Sequence, residues 1–196
     1  IFGLTKKYSG TVRLFGKEVH FTRPVQALEH GMALVPEDRK LDGLYHVQSV
    51  KYNSTIEVLG DFIKGVFLDS KKESDIAQNY VRMMNTKTPT LEQKIGNLSG
   101  GNQQKVMIGR WLATNPSVLI LDEPTRGVDV GAKAEIYAIM NYLVKQGLSI
   151  IMISSELPEI INMSDRVYVM ANGKVSGCLS HEEVSQEKIM SLAAEE

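Results

Sequence analysis

Residues 117–121, Ser-Val-Leu-Ile-Leu, run unbroken into two adjacent carboxylates, Asp122 and Glu123, and then a proline. A short, continuous apolar run is what a strand needs when both faces of its sheet are covered. The stretch that follows has helical rather than strand periodicity: in "GAKAEIYAIMNYLVKQG", Ile136, Ile139, Met140 and Leu143 fall on one stripe, and Gly147 stops the helix. "LSIIMIS" (148–154) is then predicted to be a second buried strand. Strand, helix, strand with buried parallel strands implies an α/β layer fold. Ligands of such sheets bind at the carboxyl ends of the strands, where Asp122 and Glu123 stand.

The remaining segments fit around that core. "GTVRLFGKEVHF" (10–21) alternates about Phe15-Gly16 and reads as a hairpin. Pro24 is placed to open a short helix and Gly31 to end it, before a short buried strand at "MALV" (32–35) and the charged turn "PEDRKLDG". From about 47 to 97 the strand signal fades, and Ile76, Tyr80, Met83 and Met84 recur at helical spacing, so this block is predicted to be a helical subdomain inserted in the core. A further helix is expected from Ser99 or Gly100, with apolar residues round much of its circumference. Trp111 and the methionines at 83, 84 and 107 read as core. "RVYVMANGKVSGCL" is a hairpin turning at Asn172-Gly173, and Ser180 with Glu183 has the spacing of a capping box for a last helix over 181–196.

Two motifs carry chemistry. Adjacent strand residues point to opposite faces, so Asp122 and Glu123 are expected to differ in role: one to hold Mg²⁺, the other to orient or deprotonate an attacking water. The plainer alternative is a strand end whose acids meet solvent. In "LSGGNQQ", Ser99 caps a helix while Gly100 and Gly101 let backbone N–H groups approach an anion, helped by the helix dipole. Alone, this reads more simply as an ordinary serine-capped helix; beside the carboxylate strand it points to a nucleotide. Yet no G-x-x-x-x-G-K-[ST] phosphate loop occurs in the chain.

The run "LSGGNQQKVMIGRWLATNPSVLILDEPTRGVD" resembles the signature motif, Walker B strand and D-loop of ABC ATPases. More narrowly, "GGNQQKV", "DEPTRGVDVGAK" and "ISSELPEI" resemble the second ATPase half of bacterial monosaccharide importers, and "KTPTLEQKIGNLSGGNQQKV" is most similar to the galactose/methyl-galactoside type. The resemblance covers essentially the whole chain. It implies a P-loop NTPase core of ABC type lacking its Walker A strand and loop, with an antiparallel β portion and the inserted helical subdomain, as one partial nucleotide-binding domain over 1–196. The opening "IFGL" falls just after the family's Walker A helix, so the chain reads as the interior of a longer protein. By the same resemblance Asp122 would assist Mg²⁺, Glu123 would be the catalytic carboxylate, and Asp129 would belong to the D-loop. Ser99, Gly100, Gly101 and Gln103 would form the signature that faces ATP bound on the partner half. Implied partners are another ABC half on the same polypeptide, membrane permease subunits and, indirectly, a sugar-binding protein, at the cytoplasmic face of the cell membrane. The Walker A strand would lie beside "LSIIMIS", so without it dimerisation or strand exchange is expected.

Two positions depart from the ABC pattern. Glu37 in "ALVPEDR" stands where the Q-loop glutamine is usual, and Ser155 in "ISSEL" stands where the H-loop histidine is usual. An ionised carboxylate cannot donate a hydrogen bond and repels phosphate oxygens, and serine lacks the charge of a histidinium. Both are expected to weaken this half's own ATP site while leaving its signature to serve the other. An ABC-type ATPase of DNA repair or chromosome organisation is the rival reading; such proteins carry long coiled coils, whereas roughly sixty residues without heptads separate Glu37 from Leu98. A non-catalytic dimerisation module is a third. A net charge of −1 gives no support to nucleic acid as a partner.

Overall fold

The computed structural model describes residues 1–5 and 9–194, in two compact units, Ile1–Ile153 and Ser154–Glu196. The first unit is built on a parallel sheet of three strands, β3 (Met32–Val35), β6 (Val118–Asp122) and β7 (Ser149–Ile153), with β6 in the centre. Alternate residues of the strands divide between two layers. Met32, Leu34, Val118 and Ile120 join Phe2, Phe21 and Ala27 in one apolar cluster. That layer comes from the hairpin β1 (Val12–Leu14)/β2 (Lys17–Val19) and helix α1 (Pro24–Glu29). Ala33, Val35, Leu119 and Leu121 are fully buried on the opposite face, where helix α4 (Gly100–Leu112) packs against β3.

Local chemistry places these elements. The β1–β2 turn is closed by Phe15 and Gly16, both at positive φ (50° and 78°), the conformation two-residue hairpin turns require. Pro24 occupies the first turn of α1, and Gly31 follows the helix at φ 77°. α4 is buried on nearly every face because α2 (Val50–Thr55), α3 (Ser70–Met83), α5 (Val130–Lys145) and β3 all contact it. Lys105 in its middle is buried; its Nζ donates to Asn85 O at 3.0 Å and pairs with Glu135 of α5.

The second unit comprises α6 (Leu157–Met163), the hairpin β8 (Arg166–Ala171)/β9 (Lys174–Ser180) turning at Asn172-Gly173, and α7 (Gln186–Ala193). Val167, Val169 and Ile189 form its core.

Several expectations need correction. β7 is not a doubly covered strand: β6 is its only partner among the described residues, and Ile151 and Ile153 remain 43% and 48% exposed. Ser180 and Glu183 do exchange hydrogen bonds, but they close a turn; α7 starts later, capped by Ser185, whose Oγ accepts from Lys188 N. Glu195 and Glu196, the end of the predicted last helix, lie outside the described residues. Met83 is exposed on the outer face of α3 and Trp111 is half-buried, whereas Met84 and Met107 are core. The block from 47 to 97 also contains a short hairpin, β4 (Ile63–Lys64)/β5 (Phe67–Leu68), which its two-residue strands made invisible to periodicity. The charged turn after β3 winds into a five-residue π-helical turn, Arg39–Gly43.

Candidate functional site

β6 ends on Asp122, and Glu123 lies one residue beyond it in the left-handed region, at φ 48°. Strand alternation therefore does not set the direction of Glu123; the backbone turn does, anchored by Glu123 N donating to Ile153 O of β7 at 2.9 Å. A bulky residue held in this conformation is a place where the fold stores strain, a common property of functional positions. Partial burial pushes the Asp122 carboxyl above the usual carboxylate range, and the charge of Glu123 adds to this. Beyond Glu123 the chain makes two successive turns, Arg126 N to Glu123 O and Val128 N to Thr125 O. Asp129 then caps α5, its Oδ1 accepting from Ala132 N at 3.0 Å.

The N-terminus of α4 lies beside this loop. Ser99 is exposed, and its Oγ accepts from Asn102 N and, at 2.9 Å, from Asn102 Nδ2. Both glycines are packed from within the chain. A Cβ on Gly101 would stand 2.4 Å from Ala132 Cβ, and one on Gly100 would stand 2.9 Å from a guanidinium nitrogen of Arg39 and 3.3 Å from Gly127 O. Gln103 is buried, its Nε2 donating to Ile95 O and Leu98 O, so it holds the preceding loop beneath the helix start.

The loop after β3 closes the cluster. Glu37 pairs with Arg126. Arg39 donates to Arg126 O at 2.8 Å and to Gly127 O at 3.0 Å. Asp38 accepts from Lys40 N and Leu41 N, and these N–H groups hold its carboxyl below the usual range. At the far end of the π-helical turn the buried Arg110 of α4 donates to Gly43 O. Glu37, Gly100 and Gly101 thus meet the loop that leads from Asp122 and Glu123 to Asp129, and Ser99 immediately precedes Gly100. Ser155 follows β7 as the second residue of the other unit. Sequence analysis placed Arg39 only within the charged turn "PEDRKLDG" and did not single out Arg126. Their partners lie 87 to 89 positions apart in sequence, so no local pattern reveals them.

Among the described residues no three His, Cys, Asp or Glu side chains group to cage a metal. The donor set does suit magnesium, which takes one or two carboxylates and fills its remaining positions with water and phosphate oxygens. Asp122 is such a carboxylate, with ionisation penalised by burial and therefore favoured by a nearby cation. An exposed serine and closely packed glycines at a helix N-terminus suit a phosphate.

A family model described as ABC transporter matches residues 1–126. A ribose import ATP-binding protein of Shouchella clausii is 53% identical over 193 residues, covering 98% of this chain and 39% of that protein. A protein of Pseudomonas syringae pv. syringae, provisionally named a ribose/galactose/methyl galactoside import ATP-binding protein, is 51% identical over 194 residues, 99% of this chain and 37% of its own length. The chain therefore spans less than two-fifths of these relatives. A solved ATP-binding cassette of an ABC transporter superposes with a TM-score of 0.79 at 25% identity, over 97% of this chain and 79% of that one. A nucleotide-free cassette of another ABC transporter structure gives 0.78 at 22% identity, over 100% and 81%. With the family model spanning nearly two-thirds of its length and the fold of a nucleotide cassette, the chain belongs to the ABC transporter family.

Proposed function

We propose that the chain is the second, C-terminal ATPase half of a bacterial monosaccharide importer of the galactose/methyl-galactoside type. In this reading its signature motif completes the ATP site of the other half on the same polypeptide. The observation that carries the proposal is the placement of Asp122 and the strained Glu123 at the end of the central strand, with the N-terminus of α4 packed against the loop they lead into. The similar proteins are import ATP-binding proteins for ribose or for ribose, galactose and methyl galactoside, which supports the substrate class.

The residues divide by chemistry. Bound magnesium supplies charge neutralisation on phosphate oxygens, and Asp122 is the carboxylate that holds it. Glu123 accepts the proton of the attacking water, its direction fixed by the turn. Ser99, Gly100 and Gly101 face the terminal phosphate of ATP held by the other half, with Gln103 supporting them from below and Asp129 in the loop that faces that half. Glu37 and Ser155 depart from the family pattern and leave this half's own site degenerate, so the two sites hydrolyse unequally. Glu37 is already engaged by Arg126, which leaves it less able to assist magnesium. With no G-x-x-x-x-G-K-[ST] stretch, the chain alone holds ATP weakly. The partners are permease subunits at the cytoplasmic face of the membrane and, through them, a sugar-binding protein. A DNA-repair or chromosome-organising role finds no support: the helices between Glu37 and Leu98 reach 14 residues at most among those described, too short for a coiled-coil arm.

Glu123→Gln and the equivalent change in the other half, made separately in the full-length protein, test the asymmetry. The account expects the change in the other half to remove most ATPase activity and Glu123→Gln to remove little. Equal losses refute it.

A further inference from the structure

The structure assigns a positioning role to Arg39: its guanidinium locks the 126–132 segment to the N-terminus of α4, so that the carboxylate loop and the signature helix move as one plate. Three observations carry this. The two Nη groups of the fork donate to two successive carbonyls, Arg126 O and Gly127 O, at 2.8 and 3.0 Å, while the buried Nε has no partner; the planar two-point grip is one that a lysine does not reproduce. Gly127 sits at φ 65°, a conformation that turns the loop carbonyls towards Arg39 and that glycine adopts without penalty. Gly100 lies against the same guanidinium nitrogen, where a Cβ would come within 2.9 Å of Nη2 and 3.3 Å of Gly127 O. The absence of a side chain at residue 100 thus makes room for Arg39, apart from any phosphate.

The clamp is tied at further points. Glu37, two residues before Arg39, pairs with the side chain of Arg126, whose carbonyl Arg39 holds. Four residues after Arg39, Gly43 accepts from the buried Arg110 of α4 and lies against Met107. The β3–α2 connection is therefore pinned to the carboxylate loop at one end and to α4 at both of α4's ends. Arg39 is the side chain that touches all three segments: it belongs to the connection, donates to the carboxylate loop and lies against Gly100. The inference rests on the proposed function only for its consequence, that a lid so positioned serves ATP on another half.

Amide hydrogen exchange by NMR on the 196-residue chain tests the clamp without nucleotide. The reporters are Val128 N and Ala132 N on the loop side and Asn102 N and Gln103 N on the helix side, all hydrogen-bonded here. Arg39→Ala is expected to speed exchange about tenfold at both sets, and Arg39→Lys, which keeps the charge but not the planar fork, by less. Gly100→Ala, which crowds the guanidinium, is expected to act like Arg39→Ala, and the double change to add little beyond either single one. Faster exchange confined to the loop side, or full additivity of the two changes, overturns the assignment. If Arg39→Ala does not fold, Arg39→Lys and Gly100→Ala carry the same comparison. The composite-site reading fails separately: if Arg39→Ala shows the exchange effect yet leaves kcat for ATP hydrolysis by the full-length protein unchanged, the clamp stands and the trans-acting lid does not.

Discussion

At the residue scale, Glu123 concentrates the tension between stability and function. A left-handed backbone costs a residue with a side chain roughly 1–2 kcal/mol that glycine does not incur, offset in part by glycine's greater chain entropy. Relative to Glu123→Ala, which keeps the strain and likewise removes the proton acceptor, Glu123→Gly is therefore expected to have an equal or higher thermal midpoint, by roughly 2–4 °C per kcal/mol gained. Thermal unfolding of the two variants measures this, and a marked deficit of Glu123→Gly against Glu123→Ala would contradict the strain assigned to φ 48°. Asp122 behaves similarly through charge. Its folded-state pKa lies above the unfolded value, so the folded state binds more protons and stability falls as pH rises through the carboxyl range. Asp122→Asn is expected to match wild type in acid and to exceed it at neutral pH, in paired unfolding curves across that range. A neutral-pH deficit would mean that the carboxylate is stabilised in the fold.

At the element scale, α4 is the organising piece, and Lys105 is its most exposed weakness in energetic terms. Its ammonium is buried against Asn85 O and Glu135, and that hydrogen bond holds Glu135 below the usual carboxylate range. Glu135→Gln keeps an acceptor but leaves a buried charge without its counter-charge. Because Glu135 is partly solvent-screened, the expected loss is modest, about 1–2 kcal/mol by denaturant unfolding. Adding Lys105→Met should recover most of it, since an apolar side chain then fills the same space; a further loss would show the ammonium to be stabilising in itself.

How much of this was legible in the sequence follows from the range of each signal. The strands at 32–35 and 118–122, the turns at Phe15-Gly16 and Asn172-Gly173, and the cap at Ser99 are set by neighbours a few residues away, and periodicity and turn chemistry reveal them. The start of α7 was misplaced because two serines, Ser180 and Ser185, both offer caps, and only packing chooses between them. For the site, the motifs at Ser99–Gly101 and Asp122–Glu123 stand out locally. The grip of Arg39 on Arg126 and Gly127 joins segments 87 and 88 positions apart and is visible only in three dimensions.

At the scale of the whole molecule, the exposed edge of β7 matters most. Unpaired strand edges with apolar side chains invite pairing with another chain. Ile151 and Ile153 are such side chains, so the isolated chain is expected to self-associate in light scattering, and Ile151→Lys with Ile153→Lys to hold it monomeric. A wild-type monomer at high concentration would contradict this. The central claim, that the N-terminus of α4 acts in trans on another half's ATP, is tested most directly by ultraviolet cleavage of the full-length protein trapped with magnesium, ADP and vanadate, because vanadate in the terminal-phosphate position cuts the backbone it touches. The account predicts a cut at Ser99 that disappears when phosphate binding by the other half is disabled by mutation. Absence of a cut at Ser99 in the trapped protein, or a cut that persists after that mutation, would contradict it.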